Sequence, residues 1–226
     1  EAAAALEPAF GAGAFIPDAD SMTNAEADVP QCDVMLAAAP REQACEYAEI
    51  VREAGLRIRS LEIKPFSLLR LLSGLGRSGE SGAVMAVDVG ENAADFSVFY
   101  GRELKITRNI PVNFGSDAGK LSASLFEETD ANYGFRAACF DLADEIERLM
   151  NFYRYSLNHR EHEFGCVLLL GDAPRLAEIG SLLSERLTTE VRLIEPAAVS
   201  SPVPQFERQF PALAVPIGLA LREKPA

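Results

Sequence analysis

The sequence predicts an α/β fold, a mixed β-sheet flanked by helices. Three observations predict it. Residues 83–110 hold three short apolar runs separated by turn signals, which reads as an antiparallel meander of three strands. The first run, Ala83 to Val87, is apolar almost without interruption, as expected of a strand covered on both faces. Downstream, apolar runs at 166–170 and 191–194 alternate with helical periodicities, so that strands and helices fall into separate layers.

Taken in order, residues 1–31 are rich in Ala, Pro and acidic residues and read as an irregular segment. Residues 33–39 read as an apolar strand. Residues 41–54 form an amphipathic helix on which Ala44, Tyr47, Ala48, Val51 and Ala54 recur at steps of three and four, and Gly55 closes it. Leu56, Ile58, Leu61 and Ile63 alternate as in a strand. Pro65 opens a short helix through Leu72, a position that suits proline because the first-turn amide has no partner to lose. Residues 32–73 thus predict a strand–helix–strand–helix unit. Residues 73–82 hold four glycines and three serines, which cannot build a packed element, so 74–82 is a linker before a second unit at 83–226.

In the meander, Asp88-Val89-Gly90 ends the first strand and Gly101-Arg102 makes a tight reversal before Leu104, Ile106 and Ile110. Residues 115–126 read as a helix and 127–134 as a polar bridge. A long helix follows over 136–157, with Cys139, Ala143, Ile146, Met150, Tyr153 and Leu157 as one core-facing stripe. The strand at 166–170 ends in Gly171-Asp172-Ala173-Pro174. Leu176, Ile179, Leu182, Leu183 and Leu187 then mark a helix, with Asp172 or Ala173 at its cap and Pro174 in its first turn. Residues 191–194 read as a strand, 196–204 as a loop, and 210–221 as a final helix kinked at Pro216.

Composition excludes several functions. The 226 residues are 48% hydrophobic and 24% charged, ordinary for a globular protein. A net charge of −13 excludes nucleic-acid binding, which needs clustered Lys and Arg against phosphate, and adsorption to an anionic membrane. No apolar run approaches the roughly 20 residues of a bilayer span, so no direct membrane insertion is expected. There is neither a signal-peptide pattern nor an initiating Met, and Glu1 reads as the start of a fragment. Cys32, Cys45, Cys139 and Cys166 lack CxxC spacing and read as buried thiols in a reducing compartment.

Asp88-Val89-Gly90 with Asp95, then Gly101-Arg102-Glu103-Leu104 and Arg108-Asn109-Ile110-Pro111, resembles the second phosphate motif of actin-like proteins. Three further stretches resemble the same superfamily in the flavour of FtsA and the PilM-like type IV pilus assembly proteins. These are residues 33–39 with Glu53-Ala54-Gly55-Leu56, then Asp144-Glu145-Ile146-Glu147-Arg148 running into Phe152-Tyr153-Arg154, and the stretch from Leu213 to Arg222. The resemblance covers roughly residues 32–222. It implies an actin-like (ribonuclease-H-like) fold with an incomplete N-terminal half. It also implies ATP and Mg²⁺ between two subdomains, each offering a strand-end Asp-x-Gly hairpin, so that this chain supplies half a site. Asp88, Gly90, Asn92, Glu147, Gly171 and Asp172 fall at the implied nucleotide-binding positions, and Asp88 is the implied metal ligand through a bound water. The implied location is the cytoplasmic face of the inner membrane. There such proteins bind the short N-terminal tail of a bitopic, PilN-like partner.

This chain departs from the family pattern. Where nucleotide-binding members follow Asp-x-Gly with small residues and a hydroxyl, it reads Glu91-Asn92-Ala93-Ala94. A like charge about 4 Å from phosphate costs on the order of 4 kcal/mol at an effective dielectric near 20. The Gly-Gly turn that approaches adenosine is Gly171-Asp172, and Met150 and Asn151 lack the usual basic character. The expectation is a degenerate site in a scaffold of a pilus or type II secretion platform, with self-association a further expectation. The alternatives are an ATP-hydrolysing member of the actin, Hsp70 or sugar-kinase superfamily, and a GspL-like secretion protein.

Other constellations carry less. His159 and His162 lie three apart but lack a third ligand, and they read as a solvated loop. Asp144-Glu145 and Glu127-Glu128 point to different helix faces and do not form an acid/base pair. The Gly74–Gly79 run neither follows a strand nor opens a helix, so it is linker rather than a dinucleotide fingerprint.

Overall fold

A strand that is apolar on both sides needs a helical layer on each, and β1 (Ala83–Val89) has them. The computed structural model describes residues 34–76, 82–114, 127–196 and 204–222. In it β1 pairs antiparallel with β2 (Ala93–Tyr100), which pairs antiparallel with β3 (Glu103–Pro111). On its other side β1 pairs parallel with β4 (Phe164–Leu170), and β4 parallel with β5 (Val191–Leu193). The sheet order is β3-β2-β1-β4-β5.

Alternation along the central strands feeds two cores. Met85, Val87, Val167 and Leu169 join one core with the inner stripes of α3 (Glu127–Asn151) and α4 (Leu176–Arg186). Val84, Ala86, Leu168 and Leu170 face the other, where α2 (Lys64–Gly74) supplies Leu68, Leu71 and Leu72 and α5 (Phe206–Ala220) supplies Phe210 and Ala214. Thus α2, although it precedes the glycine-rich stretch, packs on the same sheet as α5.

The α2–α5 seam is close. A Cβ on Gly218 would lie 2.0 Å from the Ser67 carbonyl oxygen, so only glycine lets the two backbones meet. Glu62, just ahead of α2, ties the seam. It accepts a hydrogen bond from Ser67 Oγ at 2.6 Å, pairs with Arg70, and pairs with Arg222 just beyond α5 at 3.0 Å. Arg70 Nε also donates to the Gly218 carbonyl at 3.1 Å.

Several elements depart from expectation. Residues 34–40 and 56–63 are not strands, because a strand needs a hydrogen-bonded neighbour and none pairs with them among the described residues. Most of their apolar side chains are exposed, Leu36 at 85% and Leu61 at 64%, while Ile63 packs half-buried against the α2/α5 core. α1 (Arg41–Glu53) forms as expected and Gly55, at φ +76°, ends it, but none of its residues is buried. α3 starts at Glu127, so the expected polar bridge is its first turns. A polar helical turn and a polar loop share one composition, so the sequence alone does not separate them. The stripe is buried from Cys139 to Tyr153. It then passes into a π-helical turn (Phe152–Ser156), after which Leu157 is 37% exposed. α4 begins after Pro174, with Arg175 ahead of it at φ +62°, because the Ala173 amide is held on the Val89 carbonyl at 3.0 Å. α5 begins at Phe206 and contains both Pro211 and Pro216. The expected helix at 115–126 lies outside the described residues, as do residues 1–33, 77–81 and most of the 196–204 loop.

Cys139 and Cys166 are buried, and burial pushes the Cys139 thiol up to about 11; Cys45 is only half-buried. The histidine stretch is not simply solvated. His162 stacks on Tyr100 with 3.6 Å between ring centroids, and its Nδ1 lies 2.6 Å from the hydroxyl of buried Tyr153. Among the described residues no cluster of three His, Cys, Asp or Glu is arranged to hold a metal.

Two outcomes follow from the seam. Gly218→Ala should cost about 1–3 kcal/mol, the scale of overpacking a tight contact, read as a lower urea midpoint with an unchanged slope. Burial pushes the Glu62 carboxyl up, but the bonds from Ser67 and Arg70 and the charges of Arg70 and Arg222 outweigh it and leave it below the usual value. Its contribution is therefore full above the ordinary carboxylate range and lost as pH falls through the lowered folded value. Glu62→Gln should flatten the acid limb of the stability–pH curve, measured by urea melts between pH 3 and 7.

Candidate functional site

Strand parity builds the site. Asp88 lies two residues beyond Ala86 on β1 and so faces the α2/α5 side at the strand's exit. Asp95 on β2 is its direct cross-strand partner, and Asn109 on β3 is the partner of Asp95. Asn109, Asp95 and Asp88 therefore form one polar row across three strands. Two carboxylates directly opposite on neighbouring strands repel. Lys64, the first residue of α2, answers them: its Nζ lies 2.7 Å from Asp95 Oδ2 and 3.2 Å from Asp88 Oδ2. Asn109 Nδ2 donates to Asp95 Oδ1 at 2.6 Å.

Asp88 is the most withdrawn of the three charges, with 14% of its side chain exposed against 30% for Asp95 and 55% for Lys64. Burial pushes the Asp88 carboxyl up; the Lys64 ammonium pulls it down, while Asp95 and Asp172 add to the rise and leave it above the usual aspartate value. Burial lowers Lys64, but its bond to Asp95 and the charge of Asp88 more than offset that, and its pKa is raised.

This row forms one wall of a cavity of about 580 Å³. Its rim is the two-residue β1–β2 turn, Glu91-Asn92, closed by the Gly90 amide donating to the Ala93 carbonyl at 2.9 Å. Gly171 and Asp172, after β4, and Pro211 and Val215 of α5 complete it. Gly171 sits at φ +113°, and a Cβ there would lie 2.2 Å from the Val89 carbonyl oxygen and 2.8 Å from Asp88 Oδ1. Its amide donates to the Pro211 carbonyl at 3.0 Å. β1 itself thus requires glycine here.

Of the residues singled out in the sequence, Asp88, Gly90, Asn92, Gly171 and Asp172 all line this cavity. Glu147 does not line it; it is exposed on α3, whose inner face packs on the opposite side of the sheet. Sequence reasoning missed Lys64, which lies 24 and 31 residues before the carboxylates it touches. Its only local sign is a basic residue immediately before the helix-opening Pro65.

No protein-family model matches the sequence, and no curated protein does. Solved structures do match. A PilM–PilN type IV pilus biogenesis complex is similar at 24% identity and a TM-score of 0.65, over 80% of this chain and 58% of that one. The ethanolamine utilization protein EutJ from Carboxydothermus hydrogenoformans is similar at 18% identity and a TM-score of 0.55, over 81% of this chain and 62% of that one. MreB5 of Spiroplasma citri bound to ADP is similar at 10% identity and a TM-score of 0.52, over 82% and 66%. The chain therefore spans 58–66% of the length of these structures. The likeness shows the fold: a five-stranded mixed sheet with helices on both faces, actin-like over the part that the chain spans.

Proposed function

We propose that this chain is a scaffold of the inner-membrane assembly platform of a type IV pilus, or of a related type II secretion system. It works from the cytoplasmic face and binds a partner rather than turning over nucleotide. The observation that carries this is the chemistry of the cavity mouth, which suits magnesium-bound triphosphate poorly. The carboxylates that a hard cation would need are held by the Lys64 ammonium. Glu91 stands in the β1–β2 turn, and Asn92, Ala93 and Ala94 offer no hydroxyl to a phosphate. No described helix is long and apolar enough to cross a membrane. The attachment proposed here runs through other proteins. Uncovered apolar surface supports that route. Tyr47 and Ile50 of α1, and Leu56 and Leu61 after it, are all more than half exposed. The likeness to a PilM–PilN complex makes the N-terminal tail of a PilN-like protein the first partner to test.

The second reading is an ATP-binding member of the actin, Hsp70 or sugar-kinase superfamily. The cavity volume favours it, since about 300–1,000 Å³ is usual for small-molecule sites. Melting the protein with Mg-ATP separates the two. A ligand at 100 times its dissociation constant adds about 2.7 kcal/mol of stability, and the scaffold reading expects no resolvable shift at millimolar Mg-ATP. A clear shift would move the assignment to the second reading. Pull-down with a peptide of the bitopic partner's N-terminal tail should retain the protein; loss of retention with folded bait would overturn the partner claim.

A further inference from the structure

We infer that Lys64 is the resident cation of the cavity: its ammonium, tethered to the first residue of α2, takes the place between Asp88 and Asp95 that a divalent metal ion would hold, and excludes it. The inference deepens the scaffold reading and rests on it. Cross-strand pairing fixes the two carboxylates opposite each other, and such a pair needs a positive charge. Asp95 Oδ1 is taken by Asn109, which leaves Asp95 Oδ2 and Asp88 Oδ2 turned to the same incoming group. Lys64 Nζ reaches both at hydrogen-bonding distance.

The tether makes the ammonium hard to displace. Pro65 fixes the backbone in the first turn of α2. Leu68, Leu71 and Leu72 are buried, and Ser67 meets Gly218 backbone to backbone. A charge held on such an anchor acts intramolecularly, at a high effective concentration. A magnesium ion, by contrast, must shed tightly held water and find near-octahedral oxygen ligands. The raised pKa of Lys64 agrees with a charge that stays on the nitrogen across the neutral range.

The test compares the full chain as wild type, Lys64→Arg and Lys64→Met. Mn²⁺ uptake is read from the loss of the free-ion paramagnetic resonance signal. Melting temperature is read in MgCl₂ against NaCl of equal ionic strength. Wild type and Lys64→Arg should take up no ion at the site and gain no more from MgCl₂ than from NaCl. Lys64→Met should bind one Mn²⁺ at least roughly tenfold more tightly than wild type and recover stability in MgCl₂, both lost on adding Asp88→Asn. Equal Mn²⁺ affinity in wild type and Lys64→Met, or no gain in a folded Lys64→Met, would overturn the inference. Should Lys64→Met fail to fold, wild type decides. Uptake that Asp88→Asn abolishes overturns the inference, and uptake absent from both supports it. Retention on the partner peptide, measured on the same proteins, reports on the scaffold reading separately: its loss with unchanged Mn²⁺ behaviour sinks that reading alone.

Discussion

The arrangement depends on β1 being buried on both faces. A strand so placed tolerates a polar side chain only where it leaves the sheet, and Asp88 is the one residue of β1 that is not fully buried. Parity then decides its surroundings. Had the register slipped by one residue, Asp88 would point into the core shared with α3 and α4, where an unpaired carboxylate costs several kcal/mol. On the α2/α5 side it instead meets Asp95, Asn109 and Lys64.

That side is held by a second constraint, the α2–α5 seam. Most ion pairs in the described structure are exposed and add little, since such pairs are worth about 0–1 kcal/mol. The Glu62 cluster differs because only 10% of the Glu62 side chain is exposed while three groups serve it. With Gly218 against Ser67, it fixes the axial position of α2, and hence how far Lys64 reaches over the ends of β1 and β2. The charge at the cavity is thus set by contacts around the first turns of the helix that carries it.

The meander and the stripe from Cys139 to Tyr153 were legible in the sequence because local alternation and periodicity dictate them. The same logic misread residues 33–39 and 56–63. Alternation reports which side chains want cover, not whether a neighbouring strand exists to bond the backbone, and Leu56 and Leu61 remain exposed. Asp88, Gly90 and Gly171 could be picked out because a strand end followed by a turn has a local signature. Lys64 could not, since only tertiary packing brings it to Asp95. Glu147 was chosen by resemblance, and helix phase carries it to the solvent face of α3.

Gly171 shows how shape and chemistry separate at this site. A glycine beside a cavity invites the explanation that a ligand must come close, yet here Val89 and Asp88 already fill the space a Cβ would need. The contour of the cavity is a by-product of packing β4 and α5 against β1, and it would persist with no ligand to serve. Charge is not obliged in this way. Among the described residues that line the cavity, Asp88, Glu91, Asp95 and Asp172 stand against Lys64, and Lys64 is already committed to two of them. A triphosphate would bring further negative charge to a wall whose described residues hold no uncommitted cation, in a concave site where the field is screened less than on open surface. Packing keeps the outline of the cavity, while side-chain charge sets what that outline can admit.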